Sequence, residues 1–464
     1  MTTSTKDIEN RIEDQFIADF ENNRDLILRN DMDSIKDSRL RAFEVLKNLN
    51  IPTTKNELYK YTNLRSLFEN SGRLVHRFET PLLANPIEEF FRCNITDLDT
   101  YDIVLIDGYY PHTLPLFQRL DGGSVMGSLM EATELYPEVF EKHYGKYIDI
   151  SNDFLSAFNA TFAKDGVFAH FPPNTTISKP IQIVSLINRN ENILFNSMVQ
   201  SRNLIVVEKN CKISIVFCDH TMVNERSITN LLSEIYVGEN SQVEIYKVQN
   251  QHNDAYQLSN LFIHQEANST VTVNTISLHG GLIRNNLKVT LNGKNASTNL
   301  YGLYLVDRKQ QVDNYTLIDH VAPHCNSVEL YKGILDDESR GTFRGKIMVQ
   351  KDAQKTNSYQ KNNNLLLNDQ ATMNSMPQLE IYADDAKCSH GATVGYLDGE
   401  AMFYLQSRGI NSKEARLLLM NAFASEVINK ISIPTLRDRL SYLVQQRLRG
   451  ELSPCATCVL KCHE

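Results

Sequence analysis

The chain of 464 residues is long enough for two or three domains around a large hydrophobic core. Its formal net charge of −9 argues against general nucleic-acid binding, which needs a basic surface. The N-terminus has no apolar signal segment, and no apolar run approaches the ~18 residues of a membrane span. We therefore expect a cytoplasmic protein, whose eight cysteines should be thiols in that reducing compartment.

The N-terminal region, residues 1–164, has a helical and mixed pattern. Apolar residues recur at helical spacing between residues 12 and 20 and again between residues 40 and 49. The apolar segment 101–108 predicts a short buried strand that ends in a turn. Residues 129–140 predict another helix.

Strand periodicity replaces helical periodicity over residues 165–399, where Val, Ile and Thr alternate with polar residues. One short sequence motif recurs there, in which an asparagine and a small residue precede an alternating strand. It appears at Asn210, Asn240, Asn268 and Asn295, at intervals of 27 to 30 residues. Such intervals are typical of a solenoid whose coils must stack to bury their apolar faces. We predict a β-helix, with a β-sandwich as the structural alternative.

Helical signals return in the C-terminal region, residues 400–464. Asn411 followed by Glu414 resembles a capping box, and Pro434 suits the first turn of a second helix. Residues 415–424 are apolar on nearly all sides, so this helix should be buried or lie in an interface.

The segment around Cys388 and His390 carries the most informative chemistry. Residues two apart in a strand project from the same face, about 6.6 Å apart. A thiol and an imidazole on one face suit iron, zinc or persulfide sulfur. Asp384 and Asp385 lie just upstream. The structural alternative is a histidine that is packed and hydrogen-bonded inside the solenoid.

The C-terminal tail contains a second set of ligand-type side chains. Cys455, Cys458, Cys462 and His463 form a credible zinc or iron–sulfur ligand set. A thiol-rich terminus that merely oxidises or scavenges metal is the alternative.

The sequence lacks the motifs of an ATPase. Gly341–Lys346 is one residue short of a P-loop and lacks the Ser or Thr that binds magnesium. We therefore expect no ATP hydrolysis by this chain.

A series of motifs, in order along the chain, resembles the SufB/SufD family of iron–sulfur cluster assembly scaffold subunits, in its SufD form. The signature is Glu380-Ile-Tyr-Ala-Asp-Asp-Ala-Lys-Cys-Ser-His-Gly-Ala-Thr-Val-Gly395. The supporting motifs are Ile318–Cys325, Glu329–Gly333, Ala353–Thr356 and Phe403–Gly409. The resemblance implies a right-handed parallel β-helix flanked by helical regions.

The resemblance also implies a function and partners. The chain would be a non-catalytic scaffold that pairs with SufB and binds the ATPase SufC. His390 would lie at the cluster-assembly interface, with Cys388 secondary. No tightly bound cofactor is expected, only a transient iron–sulfur cluster at the interface with SufB. The residues expected to dock SufC are Leu417, Leu418, Leu419, Met420 and Phe423.

Three alternatives stay open at this point. The chain could be a SufB-type subunit, although the form of residues 388–395 favours SufD. It could be a β-solenoid enzyme acting on polysaccharides, which would need a groove of paired carboxylates. The isolated chain could also form a homodimer.

Overall fold

The computed structural model describes residues 11–71, 74–76, 98–187, 196–221 and 226–450. The helices are α1 (Ile12–Asn22), α2 (Arg24–Leu28), α3 (Asp33–Asn48), α4 (Leu64–Asn70), α5 (Leu129–Leu135), α6 (Pro137–His143), α7 (Phe154–Phe162), α8 (Gly399–Ser407), α9 (Ser412–Ile428) and α10 (Pro434–Arg449). Short 3₁₀ turns lie at Glu57–Tyr59 and Asp121–Gly123.

The strands before the middle of the chain are β1 (Leu74–His76), β2 (Tyr101–Ile106), β3 (Phe117–Arg119), β4 (Val125–Ser128), β5 (Val167–Phe171), β6 (Ile181–Ile187), β7 (Asn196–Val207), β8 (Lys212–Thr221), β9 (Ser227–Val237) and β10 (Gln242–Asn250). The later strands are β11 (Ala255–Gln265), β12 (Thr270–His279), β13 (Leu282–Leu291), β14 (Ser297–Val306), β15 (Gln311–His320), β16 (Asn326–Leu335), β17 (Arg340–Val349), β18 (Thr356–Leu366), β19 (Thr372–Ile381) and β20 (Ala386–Gly395).

From β5 onward, successive strands alternate between two sheets, and each of β5 to β18 pairs in parallel with the strand two places further along the chain. The odd-numbered strands β5 to β19 form one sheet, which β1 and the antiparallel β3 and β4 extend. The even-numbered strands β6 to β20 form the other, which β2 extends. Two strands thus make one coil of a parallel β-solenoid. The predicted solenoid is confirmed, and the β-sandwich alternative is wrong.

The recurrent asparagines lie at the tight turn of each coil, in the left-handed region that asparagine tolerates better than most residues. Asn210, Asn240, Asn268 and Asn295 have φ values from 56° to 60°. Their amides stack, because Asn240 Nδ2 donates to Asn210 Oδ1 and Asn295 Nδ2 donates to Asn268 Oδ1, each at 3.0 Å. The small residues that follow them are all buried: Cys211, Ser241, Ser269 and Ala296. The asparagine and the small residue after it thus form the turn of the coil and lead into the next strand.

Alternate residues of each strand point into the solenoid and stack on equivalent residues of neighbouring coils. In the even sheet one inward column runs through Ile215, Ile245, Val273 and Leu300, which are in register and buried. Together with the inward residues of the odd sheet they form the main hydrophobic core.

The helical regions cover the outer faces of the two sheets. Helix α7 packs on the odd sheet, where Asn159 Nδ2 donates to the carbonyl oxygens of Ser201 and Asn230 at 2.9 Å. Helices α9 and α10 pack on the even sheet, where Leu417 and Met420 share a core cluster with strand residues.

One predicted helix, over residues 129–140, is divided in the structure. Helix α5 ends at Leu135 and α6 begins at Pro137, which has no amide hydrogen to continue the first helix. The predicted strand at 101–108 is present as β2. Among the described residues, no helix is long and apolar enough to cross a membrane.

Candidate functional site

Strand β20 places Cys388 and His390 on the last rung of the even sheet. It pairs with β18 on one side, and no described strand pairs with its other edge. Cys388 aligns with Ser358, and His390 aligns with Gln360. Since Ser358 and Gln360 are buried inside the solenoid, their partners occupy the inward face as well. His390 is nevertheless exposed, because no further described coil covers it.

The column that ends at His390 changes character along the solenoid axis. Its first members are apolar up to Leu300, and the next rungs carry Glu329, Gln360 and His390. Gln360 Nε2 donates to Glu329 Oε2 at 2.6 Å, whereas Glu329 Oε1 and Gln360 Oε1 have no hydrogen-bond partner among the described residues. Burial raises the pKa of Glu329 to about 7. Polar side chains therefore lead from the core to the exposed imidazole.

Cys388 lies in a different environment from its neighbour two residues on. It is half-buried and packs against a small cluster that contains Ile347, Val349 and Ala353. Burial raises the pKa of the Cys388 thiol. The thiol form is therefore favoured, and the thiolate is the form that attacks sulfur or binds metal. The imidazole is the more accessible of the two groups.

Large apolar side chains surround this open end of the solenoid. Tyr382 and Tyr396 flank β20 and are 61% and 60% exposed, and Val394 lies on the strand itself at 46%. On the adjoining helix α8, Phe403 and Tyr404 are 73% and 58% exposed. Large apolar side chains exposed at one end of a fold are typical of a protein–protein interface.

The two acids upstream belong to one exposed turn. The amide of Asp385 donates to Gln354 Oε1 at 2.9 Å, and its carbonyl oxygen accepts from the amide of Lys355. Asp384 and Asp385 are consecutive, so they do not face each other across a groove as the carboxylates of a glycosidase would. Their backbone helps to fix the turn that leads into β20.

The five residues expected to contact an ATPase all lie on helix α9, but they differ in exposure. Leu417 and Met420 are buried against the solenoid, so they cannot contact another protein without rearrangement. Leu418 is 48% exposed, whereas Leu419 and Phe423 are half-buried. Of the five predicted docking residues, only these last three are accessible, and their contact with an ATPase stays a prediction.

The other ligand-type residues do not form a metal site in the part of the chain that the structure describes. Buried His320 bonds Ser327 Oγ at 2.9 Å through Nε2, and Cys325 is the small buried residue after a coil turn. His324 takes the left-handed turn position, with φ of 62°. Cys455, Cys458, Cys462 and His463 lie outside the described residues.

Sequence reasoning missed Glu329 and Gln360 as neighbours of the site. The available signal was their spacing, because Glu329, Gln360 and His390 occupy the same position in successive coils of about 30 residues. The near P-loop segment, Gly341–Lys346, lies within strand β17 rather than in a loop before a helix. This segment therefore has no phosphate-binding geometry.

Comparisons with known proteins cover almost the whole described chain. Residues 10–183 match the SufBD protein N-terminal region, and residues 186–423 match the SufBD core domain of the SUF system for FeS cluster assembly. An iron–sulfur cluster assembly SufBD family protein of Synechocystis is 30% identical over 417 residues, 88% of this chain and 90% of the relative. The iron–sulfur cluster assembly proteins SufD of Escherichia coli and Bacillus subtilis are 27% and 26% identical, over 86% and 89% of this chain and 90% and 94% of their own. The chain belongs to the SufBD family of iron–sulfur cluster assembly proteins.

Proposed function

We propose that this chain is a SufD-type scaffold subunit without enzymatic activity, which pairs with a SufB-type subunit through the open end of its solenoid. The observation that carries the proposal is the exposure of an inward-facing residue, His390, on the last rung. The free edge of β20 and the aromatic surface around it offer main-chain hydrogen bonds and apolar area to a partner. The relatives named SufD favour this form over a SufB-type subunit.

In this role His390 acts on a cluster that is cargo rather than a resident cofactor. The unprotonated nitrogen of a neutral imidazole can bind iron, or, while no iron is bound to it, can accept the proton of a thiol or persulfide that delivers sulfur. The exposed position of His390 lets it face a thiol of the partner. Cys388 is secondary, because its half-buried thiol stays protonated more readily.

Replacing His390 by alanine tests the role of the imidazole. Because the side chain is exposed and supports no described contact, we expect His390→Ala to leave folding and recovery of the complex unchanged while cluster assembly fails. The measurement is complementation of a strain that lacks its own SufD, with partner recovery followed in parallel. Thr393→Ala, an exposed change on the outward side of the same strand, is the matched control, and Cys388→Ser should be milder. Full complementation by His390→Ala would contradict the proposal.

We also propose that a SufC-type ATPase docks on the outer side of α9. Leu418 provides the exposed apolar contact, and Leu419 and Phe423 flank it. Leu418→Glu should weaken association with the ATPase without unfolding the chain, since the side chain is already in solvent. The control is Leu135→Glu, which introduces the same charge at a leucine that is 54% exposed in α5. Equal binding by both variants would place the ATPase elsewhere.

The tail cysteines remain a separate proposal for a zinc or iron–sulfur site. If Cys455, Cys458, Cys462 and His463 bind a metal, the reduced and metal-loaded chain should lose about one equivalent in the Cys455→Ser/Cys458→Ser variant. Elemental analysis measures the loss, with Ser453→Ala as the control in the same segment. An unchanged metal content would show that the tail holds none.

A further inference from the structure

A cleft lies between the N-terminal region and the odd sheet, away from the open end of the solenoid. One wall is formed by residues 54–71, and the floor includes Tyr256, Leu282, Gln311 and Arg340, which are register partners on β11, β13, β15 and β17. The cleft has a volume of about 740 Å³. With Arg226 just before β9, it spans five strands, or roughly 19 Å at ~4.8 Å per strand.

The charged residues that line the cleft are all cationic. Arg226, Arg308, Lys309 and Arg340 contribute to it, and no carboxylate of the described residues does. This is unusual in a chain with a net charge of −9. The cleft beside α9 and α10, by contrast, combines basic residues with Asp307 and Asp336.

Carboxylates near the cleft neutralise it only in part. Arg226 lies 4.0 Å from Asp254, and Lys309 lies 3.8 Å from Glu338, both at the solvent-exposed rim. Asp337 accepts from the backbone amide of Arg308 at 2.9 Å. The guanidinium groups of Arg308 and Arg340 form no ion pair with a described carboxylate. They therefore remain available to an anionic ligand.

Hydrogen bonds between distant parts of the chain hold the two walls in place. Arg226 Nη1 donates to the carbonyl oxygen of Asn70 at 2.6 Å, which links the two walls at one end. Gln311 Nε2 donates to the carbonyl oxygen of Tyr61 at 2.8 Å in the middle. Preorganised walls reduce the entropy that a ligand must lose on binding.

We propose that this cleft binds an extended, acidic peptide segment of a partner protein. Its cations lie towards both ends of a long groove, with Tyr256 and Leu282 between them. A compact anion would reach only one end. An extended peptide rises about 3.3 Å per residue, so about six residues would span the groove and place acidic side chains at both ends. Guanidinium groups bind carboxylates through paired hydrogen bonds.

Binding of a labelled hexaglutamate peptide to the full chain tests this proposal, with hexaserine as the neutral probe. Hexaglutamate should bind with an affinity that falls as salt is added, because the contacts are exposed charges. Arg308→Gln/Arg340→Gln should weaken binding about tenfold, since each exposed charge pair contributes modestly. Lys209→Gln/Lys294→Gln removes the same charge from exposed turns on the opposite edge of the solenoid and should bind like the unaltered chain. Equal thermal midpoints would show that both variants fold.

Three results would overturn the proposal. Hexaglutamate could bind no better than hexaserine, or the Lys209/Lys294 control could lose as much affinity as the cleft variant. Pyrophosphate could also displace the peptide at concentrations equal to the dissociation constant of pyrophosphate for the cleft. This result would identify a site for compact anions instead. Each result is independent of whether His390 functions in cluster assembly.

Discussion

At the scale of single residues, the interior of the solenoid is apolar where coils cover it and polar where it opens. Leu300 is followed in its column by Glu329, Gln360 and His390. A buried carboxyl group is costly to ionise and would be poorly tolerated in a purely structural core. Glu329 lies two rungs behind the exposed imidazole of His390, so its burial ends close to the open end of the solenoid.

The raised pKa of Glu329 predicts a pH-dependent stability. The carboxyl group titrates near 4.5 when unfolded and near 7 when folded. Between these values the folded state keeps a proton that the unfolded state has lost, so the free energy of unfolding falls as pH rises and levels off above about 7. The full loss is about 3 kcal/mol. Glu329→Gln keeps an acceptor for Gln360 and should remove this dependence.

Urea unfolding at about pH 5 and about pH 8 measures the effect. The control is Glu338→Gln, which changes an exposed carboxylate and should preserve the pH dependence of the unaltered chain. If the free energy of unfolding of Glu329→Gln falls between about pH 5 and about pH 8 as much as that of the control, another group causes the pH dependence.

The sequence predicted that Cys388 and His390 share one face of a strand, but it did not predict which side chains lie behind them. His390 lies in a dense family motif, and the two-residue strand period correctly placed it on one face with Cys388. Glu329 and Gln360 lie 61 and 30 residues earlier in the chain. Only the stacking of coils brings them into one column, and stacking register cannot be obtained from one coil alone.

At the scale of elements, the coil turn explains which part of the fold was predictable. Asparagine favours the left-handed turn for a local reason, so its recurrence identified four coils directly. His324 and Lys355 take the same conformation in later coils, with φ of 62° and 60°. Neither residue is a turn signal, because in these coils the stacked neighbours impose the conformation. The later coils were therefore visible only through strand alternation and family motifs.

Glycines inside the strands make room for aromatic rings of the neighbouring coil. A Cβ on Gly333 would lie 2.2 Å from Tyr304 and 2.6 Å from Asn364, both buried. We expect Gly333→Ala to lower the free energy of unfolding by about 1–3 kcal/mol, because the side chains of Tyr304 and Asn364 cannot move without disturbing the next coil. Gly395→Ala is the matched control in the last strand, where nothing lies within 4 Å of the added atom. Equal unfolding midpoints for the two variants would show that the interior relaxes freely.

At the scale of the whole molecule, the two helical regions cover opposite sheets, and no described strand pairs with the far edge of β20 at one end of the solenoid. Phe16, Phe20 and Phe158 join the N-terminal core cluster, which includes outward residues of the odd sheet. Helices α9 and α10 do the same for the even sheet. This arrangement separates three surfaces: the open end, the outer side of α9, and the basic cleft.

A buried ion pair joins the N-terminal region to the solenoid. Arg284 and Asp313 form it on adjacent strands, with side chains 1% and 3% exposed. Arg284 Nη2 also donates to the carbonyl oxygen of Leu58 at 3.0 Å, and Thr62 Oγ1 donates to Asp313 at 2.6 Å. Four groups from two distant segments therefore depend on one another.

Arg284→Met should lower the free energy of unfolding by about 3–5 kcal/mol, because it leaves Asp313 buried without its counter-ion. Arg284→Met/Asp313→Leu should recover most of this loss, since a well-packed apolar pair avoids the desolvation of both charges. Denaturant unfolding measures stability, and limited proteolysis reports whether residues 54–71 detach from the sheet. Lys309→Met, which breaks an exposed pair, should cost at most about 1 kcal/mol. If the double variant is as unstable as Arg284→Met, the geometry of the hydrogen bonds to Leu58 and Thr62 holds the two regions together, rather than the balance of charge.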